Sequence, residues 1–113
     1  MTSKAKARDR VVRGSTNVFA DLGYPDADER QTKLRLAHAI NAAIGEQRLA
    51  QSPAARRLGV SQPKVSALAN YQLEGFSVER LMTFLTALDQ DVDIVIRRKP
   101  RSRNAARISV IAA

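Results

Sequence analysis

Cysteine is absent from the 113 residues of this chain, which excludes a disulfide framework and any thiolate metal site. Histidine occurs once, at His38, with no second ligand candidate nearby, so a surface or internally bonded imidazole is expected there and no metal or catalytic role. No glycine motif that could cradle a phosphate is present, and with no cysteine and a single histidine the chain offers no catalytic constellation. The expectation is therefore a protein that is not an enzyme and holds no cofactor. Aromatic residues make up only 4% of the chain, so the core has to be aliphatic. No apolar run approaches the length of a membrane span, and no apolar stretch follows the basic N-terminus as a secretory signal requires. These absences suit a cytoplasmic protein with no membrane partner.

One more absence is local. Between Glu46 and Glu74 there is no acid, only Arg48, Arg56, Arg57 and Lys64. The formal net charge of +8 does not reveal this, because both ends of the chain carry the excess. Across residues 20–96 the acids slightly outnumber the bases. Phosphate attraction acts within about one Debye length, ~8–10 Å in ordinary salt, so the local sign matters more than the total.

What fills the acid-free window is a short helix, a turn and a second short helix. Ala54, Ala55 and Leu58 supply the inner face of the first, and Gly59 follows its last turn, where a left-handed residue closes a helix without steric cost. Val60 is an apolar residue suited to packing beneath both helices. Ser61 stands at the N-cap position of the second helix and Pro63 in its first turn. Val65, Leu68 and Ala69 recur at helical spacing and predict its buried stripe. Two such helices form a helix-turn-helix, whose second helix can enter the DNA major groove.

Gln51, Ala54, Ala55, the run Leu58-Gly59-Val60-Ser61-Gln62, Val65, Ser66 and Leu68 resemble the phage-repressor-like (Xre, Cro-like) helix-turn-helix regulators. The flanking runs from Asn17 to Gly23 and from Gly75 to Leu81 are similar to the HigA-type branch, whose members are often antitoxins, and the resemblance covers residues 15–98. It implies an all-α domain of four to five helices with a short C-terminal β-strand, flanked by disordered basic tails at residues 1–14 and 99–113. Residues 15–25, with Val18, Phe19 and Leu22 as one turn of apolar surface, either pack back on the domain or, as the resemblance implies, dock a partner such as a RelE-like toxin. One departure is visible. Ala50 stands where the family places a capping Thr or Ser, so the expected start moves inward, with Ser52 as cap, Pro53 at the first helical position and Gln51 outside the helix.

The remaining elements follow from spacing. A first long helix is expected from about Asp26 to Arg48, with acids in its first turn and a core stripe of Leu34, Ala37, Ile40 and Ile44, broadened by Leu36, Ala39 and Ala43. Residues 71–76 read as a loop with Gly75 available for a positive φ. Ser77 caps a fourth helix whose stripe is Val78, Leu81, Met82, Leu85 and Leu88. Phe84 falls off that stripe, where it either widens the core or forms a dimer surface. Val92, Ile94 and Ile96 alternate with Asp93, Val95 and Arg97, which is strand patterning without a partner strand in the chain. The expected solution is antiparallel pairing with the same strand of a second copy, or addition to a partner's sheet.

On a helical wheel the second helix of the motif turns Gln62, Pro63, Ser66, Ala67 and Asn70 outward, with Lys64 at the edge. Gln62 is the best base reader, because its amide presents a donor and an acceptor together to adenine. Lys64 reaches guanine or a phosphate, and Pro63 and Ala67 touch at most a thymine methyl. Gln51, Arg48, Arg56, Arg57, Ser61 and Ser66 are candidates for phosphate contacts, which position the helix without reading sequence. The expected partner is double-stranded DNA, bound by a homodimer.

Overall fold

The computed structural model describes residues 26–112, and four helices lie among them. They are α1 (Ala27–Glu46), α2 (Gln51–Leu58), α3 (Gln62–Ala69) and α4 (Val78–Ala87). The fold is all-α, as expected. The basic segment 1–14 and the docking segment with Val18, Phe19 and Leu22 lie outside the described residues.

α1 starts where its charges favour a start. Asp28 and Glu29 occupy the first turn, at the positive end of the helix dipole. Asp26 pairs with Arg30 at 2.8 Å and Glu29 with Lys33 at 3.4 Å, each acid one turn before its base. The Arg30 guanidinium beside Asp26 holds that carboxyl below its usual range. The buried face of α1 is Leu36, Ala37, Ile40 and Ala43, so Leu34 and Ile44 lie at the margins of the stripe instead of its centre. The face is set by α4, which packs along α1.

Ile40, Leu68, Leu81 and Leu88 are the fully buried large side chains at the centre of the core. The core is not purely aliphatic. Phe76 and Phe84 are both buried and meet edge to face, with centroids 5.8 Å apart and an interplanar angle of 78°. Phe84, a candidate for the dimer surface, is thus a core residue, because the loop before α4 brings Phe76 against it.

All four helices end in the same way. The N–H of the residue after the cap bonds three residues back and the next N–H bonds five back, which is the Schellman closure. The pairs are Arg48 to Gly45 and Leu49 to Ile44 for α1, and Gly59 to Arg56 and Val60 to Ala55 for α2. For α3 they are Tyr71 to Leu68 and Gln72 to Ala67, and for α4 Asp89 to Thr86 and Gln90 to Leu85. The closure needs a left-handed residue, and only α2 supplies a glycine: φ is 71° at Gly59, 55° at Arg48, 57° at Tyr71 and 64° at Asp89. In the loop before α4 the left-handed residue is therefore Tyr71 and not Gly75, since the reversal falls at the end of α3.

Residues 92–96 do not form a strand, and no strand occurs among the described residues. A strand exists only through backbone partners, and the helical remainder offers none. Val92 packs on the core, whereas Ile94, Val95 and Ile96 are exposed. The C-terminal stretch carries neither helix nor strand, yet it touches the body: Val110 packs against the core and its carbonyl accepts from the Arg35 guanidinium at 3.4 Å. That contact gives the apolar end a place in the fold. Burial and the charge of Arg107 lower the Arg35 guanidinium from its usual value.

The exposed Arg48 adopts a backbone conformation that disfavours any residue with a Cβ. Arg48→Gly is expected to raise stability by about 0.5–1 kcal/mol. A denaturant midpoint unchanged or lowered would refute this.

Candidate DNA-binding interface

α2 begins two residues earlier than the capping pattern suggests. Ala50 has extended backbone angles, and its carbonyl already accepts from the Ala54 N–H at 3.0 Å, so Gln51 is the first helical residue. No side chain caps this end. Pro53 is tolerated at the third position because the first four N–H groups of a helix have no intrahelical acceptor anyway. The Ser52 hydroxyl accepts instead from Arg56 Nη1 at 3.2 Å, one turn on. Gln51 is therefore a helical, exposed side chain at the N-terminus of α2, and not a residue outside it.

Gly59 then reverses the chain, Val60 packs against the core beneath both helices, and α3 starts at Gln62. Ser61 has the extended backbone of an N-cap, and its carbonyl accepts from the N–H groups of Lys64 and Val65, but its hydroxyl makes no capping bond. The hydroxyl is exposed at the tip of α3. Val65 and Leu68 are buried as the spacing predicts. Ala69 is not: it is exposed, and Ala67 is half-buried in its place. The chain turns back at Tyr71 and its Gln72 N–H bonds to the Ala67 carbonyl at 2.9 Å, covering that side of the helix.

The outward surface of α3 consequently carries Gln62, Pro63, Lys64 and Asn70 as exposed residues, with Ser66 half-buried beside Ala67. Asn70 folds back, its amide donating to the Ser66 carbonyl at 3.0 Å. Lys64 lies with Nζ 5.1 Å from the centroid of the Phe76 ring, a cation–π contact that leans it toward the following loop. Gln62 is the exposed amide at the first turn of α3. No acid lies in the first turn of α2 or of α3, so nothing there opposes an incoming phosphate.

The two arginines of α2 are placed differently. Arg56 is exposed, its guanidinium donating to the Ser52 hydroxyl. Arg57 swings away from the motif: Nε and Nη2 donate to the Ala87 carbonyl at 3.1 and 3.0 Å, and Nη2 lies 3.5 Å from the Asp89 carboxylate. It covers the end of α4. Gln47 does the same from α1, its amide donating to the Leu88 carbonyl at 2.7 Å. The C-terminus of α3 is held likewise, by Asn41 donating to the Leu68 carbonyl at 3.0 Å. Sequence spacing gives no sign of these long-range caps. A cation in the last turn of a helix suits that helix's own dipole, and nothing in one dimension indicates that Arg57 serves residue 87.

This geometry is that of a helix-turn-helix domain, and comparison with known proteins agrees. The helix-turn-helix domain family matches residues 18–97. A solved structure named "Putative XRE Family Transcriptional Regulator" is 76% identical over 79% of this chain and 100% of its own, with a TM-score of 0.75. No curated protein matches the chain. The chain belongs to the XRE-type helix-turn-helix family, a class of DNA-binding regulators of transcription.

Arg57→Ala is expected to cost about 1–2 kcal/mol of stability by stripping the α4 carbonyl of its charged donor. It should leave the salt dependence of DNA binding nearly unchanged. Arg56→Ala should do the reverse, sparing stability and lowering the slope of log affinity against log salt by about 1. Equal salt slopes for the two variants would reject this division of roles.

Proposed function

We propose that this chain is a sequence-specific regulator that binds double-stranded DNA as a dimer, inserts α3 into the major groove and represses its own promoter. The observation that carries the reading is the first turn of α3. Gln62 and Lys64 are exposed there, in a stretch without acids, on a helix fixed by Gly59 and by Asn41. Gln62 reads adenine through a paired donor and acceptor, a contact worth ~1–3 kcal/mol of discrimination. Lys64, held toward the loop by Phe76, serves a phosphate better than a base. Arg56, Ser61, Ser66 and the Gln51 side chain at the α2 N-terminus complete the phosphate contacts, with Arg48 at their margin. With so few polar readers, part of the specificity comes from DNA shape.

One domain offers little surface for tight specific binding, so two copies on a two-fold-related site are the natural solution. Their half-sites are centred about 34 Å apart, one turn of DNA. The site of action is then the cytoplasm, where the DNA is.

A second reading keeps DNA binding and adds the neutralisation of a RelE-like toxin. It is favoured by a cleft of about 300 Å³ at the start of α1, where Asp26, Glu29 and Glu74 stand with Arg30 and Lys33 around Leu34, Tyr71 and Leu73. Three acids over an apolar floor, two of them shared with Arg30 and Lys33, suit a partner that brings basic side chains to the cleft. Copurification with the product of a neighbouring gene separates the two readings.

The deciding measurement is binding to DNA upstream of the chain's own gene, against scrambled DNA, across a salt series. A large specific ratio is expected for the native chain. Gln62→Ala should lower that ratio about tenfold while keeping the salt slope. Equal loss on both DNAs would mean that Gln62 does not read bases.

A further inference from the structure

Residues 90–100 contain no helix and no turn, and within them Ile94, Val95 and Ile96 are 74%, 71% and 92% exposed. Three consecutive β-branched apolar side chains in water, on a backbone with no ladder, have the composition of a strand and lack the partner that would make them one. The segment is delimited at both ends. Asp89, with its left-handed φ of 64°, turns the chain out of α4, and Pro100 removes the donor that would continue a ladder. Val92 packs against the helical core and anchors the near end.

The charges in this segment are arranged about its centre. Two residues before Val95 stands Asp93 and two after it Arg97; four before stands Asp91 and four after it Lys99. We infer that residues 91–99 pair antiparallel with the same residues of a second copy, in the register that sets Val95 opposite Val95. This rests on the dimeric reading above and gives it a contact. In that register Asp93 faces Arg97, Asp91 faces Lys99, and each pair recurs by the two-fold symmetry. All of these side chains lie on one face of the ribbon, because residues two apart point the same way. On the other face Ile94 meets Ile96, on the side where Val92 already packs.

Other pairings lose this match in whole or in part. A parallel in-register pair sets Asp91 on Asp91, Asp93 on Asp93, Arg97 on Arg97 and Lys99 on Lys99, four like-charge contacts. An antiparallel pair centred one residue later still faces Asp93 with Lys99 and Asp91 with Arg101, but it sets Val95 against Arg97 and brings Pro100 into the ladder opposite Val92. The pattern is complementary to itself, which singles out a second copy of this chain over a foreign sheet edge. A two-stranded ribbon is marginal alone, and here each strand is tethered to a folded core through Val92. The contact is isologous, as a two-fold-symmetric operator requires.

The chain has no cysteine, so a single introduced one reports unambiguously. Val95→Cys lies beside the symmetry axis and should oxidise readily to a disulfide-linked dimer. Ile94→Cys faces residue 96 of the other copy and should cross-link at least about tenfold more slowly, its own mate being too far for a disulfide. Asp93→Arg and Arg97→Asp each create facing like charges and should weaken dimerisation about tenfold or more, as seen by sedimentation. Mixed together, the two variants should recover a dimer, because one supplies two arginines and the other two aspartates. Unchanged dimerisation of both single variants, or equal cross-linking at positions 94 and 95, would overturn the register. A native chain that stays monomeric at tens of micromolar, with and without operator DNA, would overturn the dimer itself. DNA binding is judged separately by the Gln62 variant and the salt series, since no substitution made here touches α2 or α3.

Discussion

The reversal at Gly59 is the constraint on which the domain depends. Two hydrogen bonds close α2 and a left-handed backbone at φ 71° turns the chain, so the direction of α3 is fixed within three residues. A residue with a Cβ would be strained there, although the space around Gly59 is open. With the direction set, Val65 and Leu68 fall into the core and the first turn of α3 faces outward. The same closure ends the other three helices through Arg48, Tyr71 and Asp89, so the domain repeats one turn chemistry and reserves its glycine for the position that orients the reading helix.

Packing alone would leave the helix ends loose, because the last carbonyls of each helix lack intrahelical donors. Here side chains from neighbouring helices meet some of them. Asn41 of α1 holds the end of α3, while Gln47 and Arg57 hold the end of α4. These bonds tie α1, α2 and α4 into one frame around Ile40, Leu68, Leu81 and Leu88. A frame of this kind keeps α3 in a fixed orientation, which base reading requires, since hydrogen-bond discrimination tolerates little misplacement. The two arginines of α2 divide the labour accordingly, Arg57 bracing the frame and Arg56 remaining at the surface.

Charge is distributed in the same spirit. Asp26, Asp28 and Glu29 gather at the N-terminus of α1, where the helix dipole favours them and where Arg30 and Lys33 pair with Asp26 and Glu29. The reading surface is left without acids. Because screening confines such fields to about 10 Å, the acidic end of α1 and the basic window of α2 and α3 act as separate surfaces on one small domain.

The sequence by itself determined whatever depends on local repetition. Helical spacing and the Gly59 turn specified the helix-turn-helix and the start of α4 at Ser77, whose hydroxyl accepts from the Arg80 N–H at 3.0 Å. The acid-free window and the exposed Gln62 were equally legible, because each is a property of a short run of residues. Tertiary structure decided whatever depends on what lies opposite. Phe84 became a core residue because Phe76 reaches it, Arg57 a brace because Ala87 lies within its span, and Ala67 rather than Ala69 was covered because the chain folds back over it. Ala50 could serve as the end of a helix because its backbone, not its side chain, supplies the first acceptor. The alternation in residues 92–96 was visible from the start, but a strand requires a partner, and no backbone among the described residues supplies one.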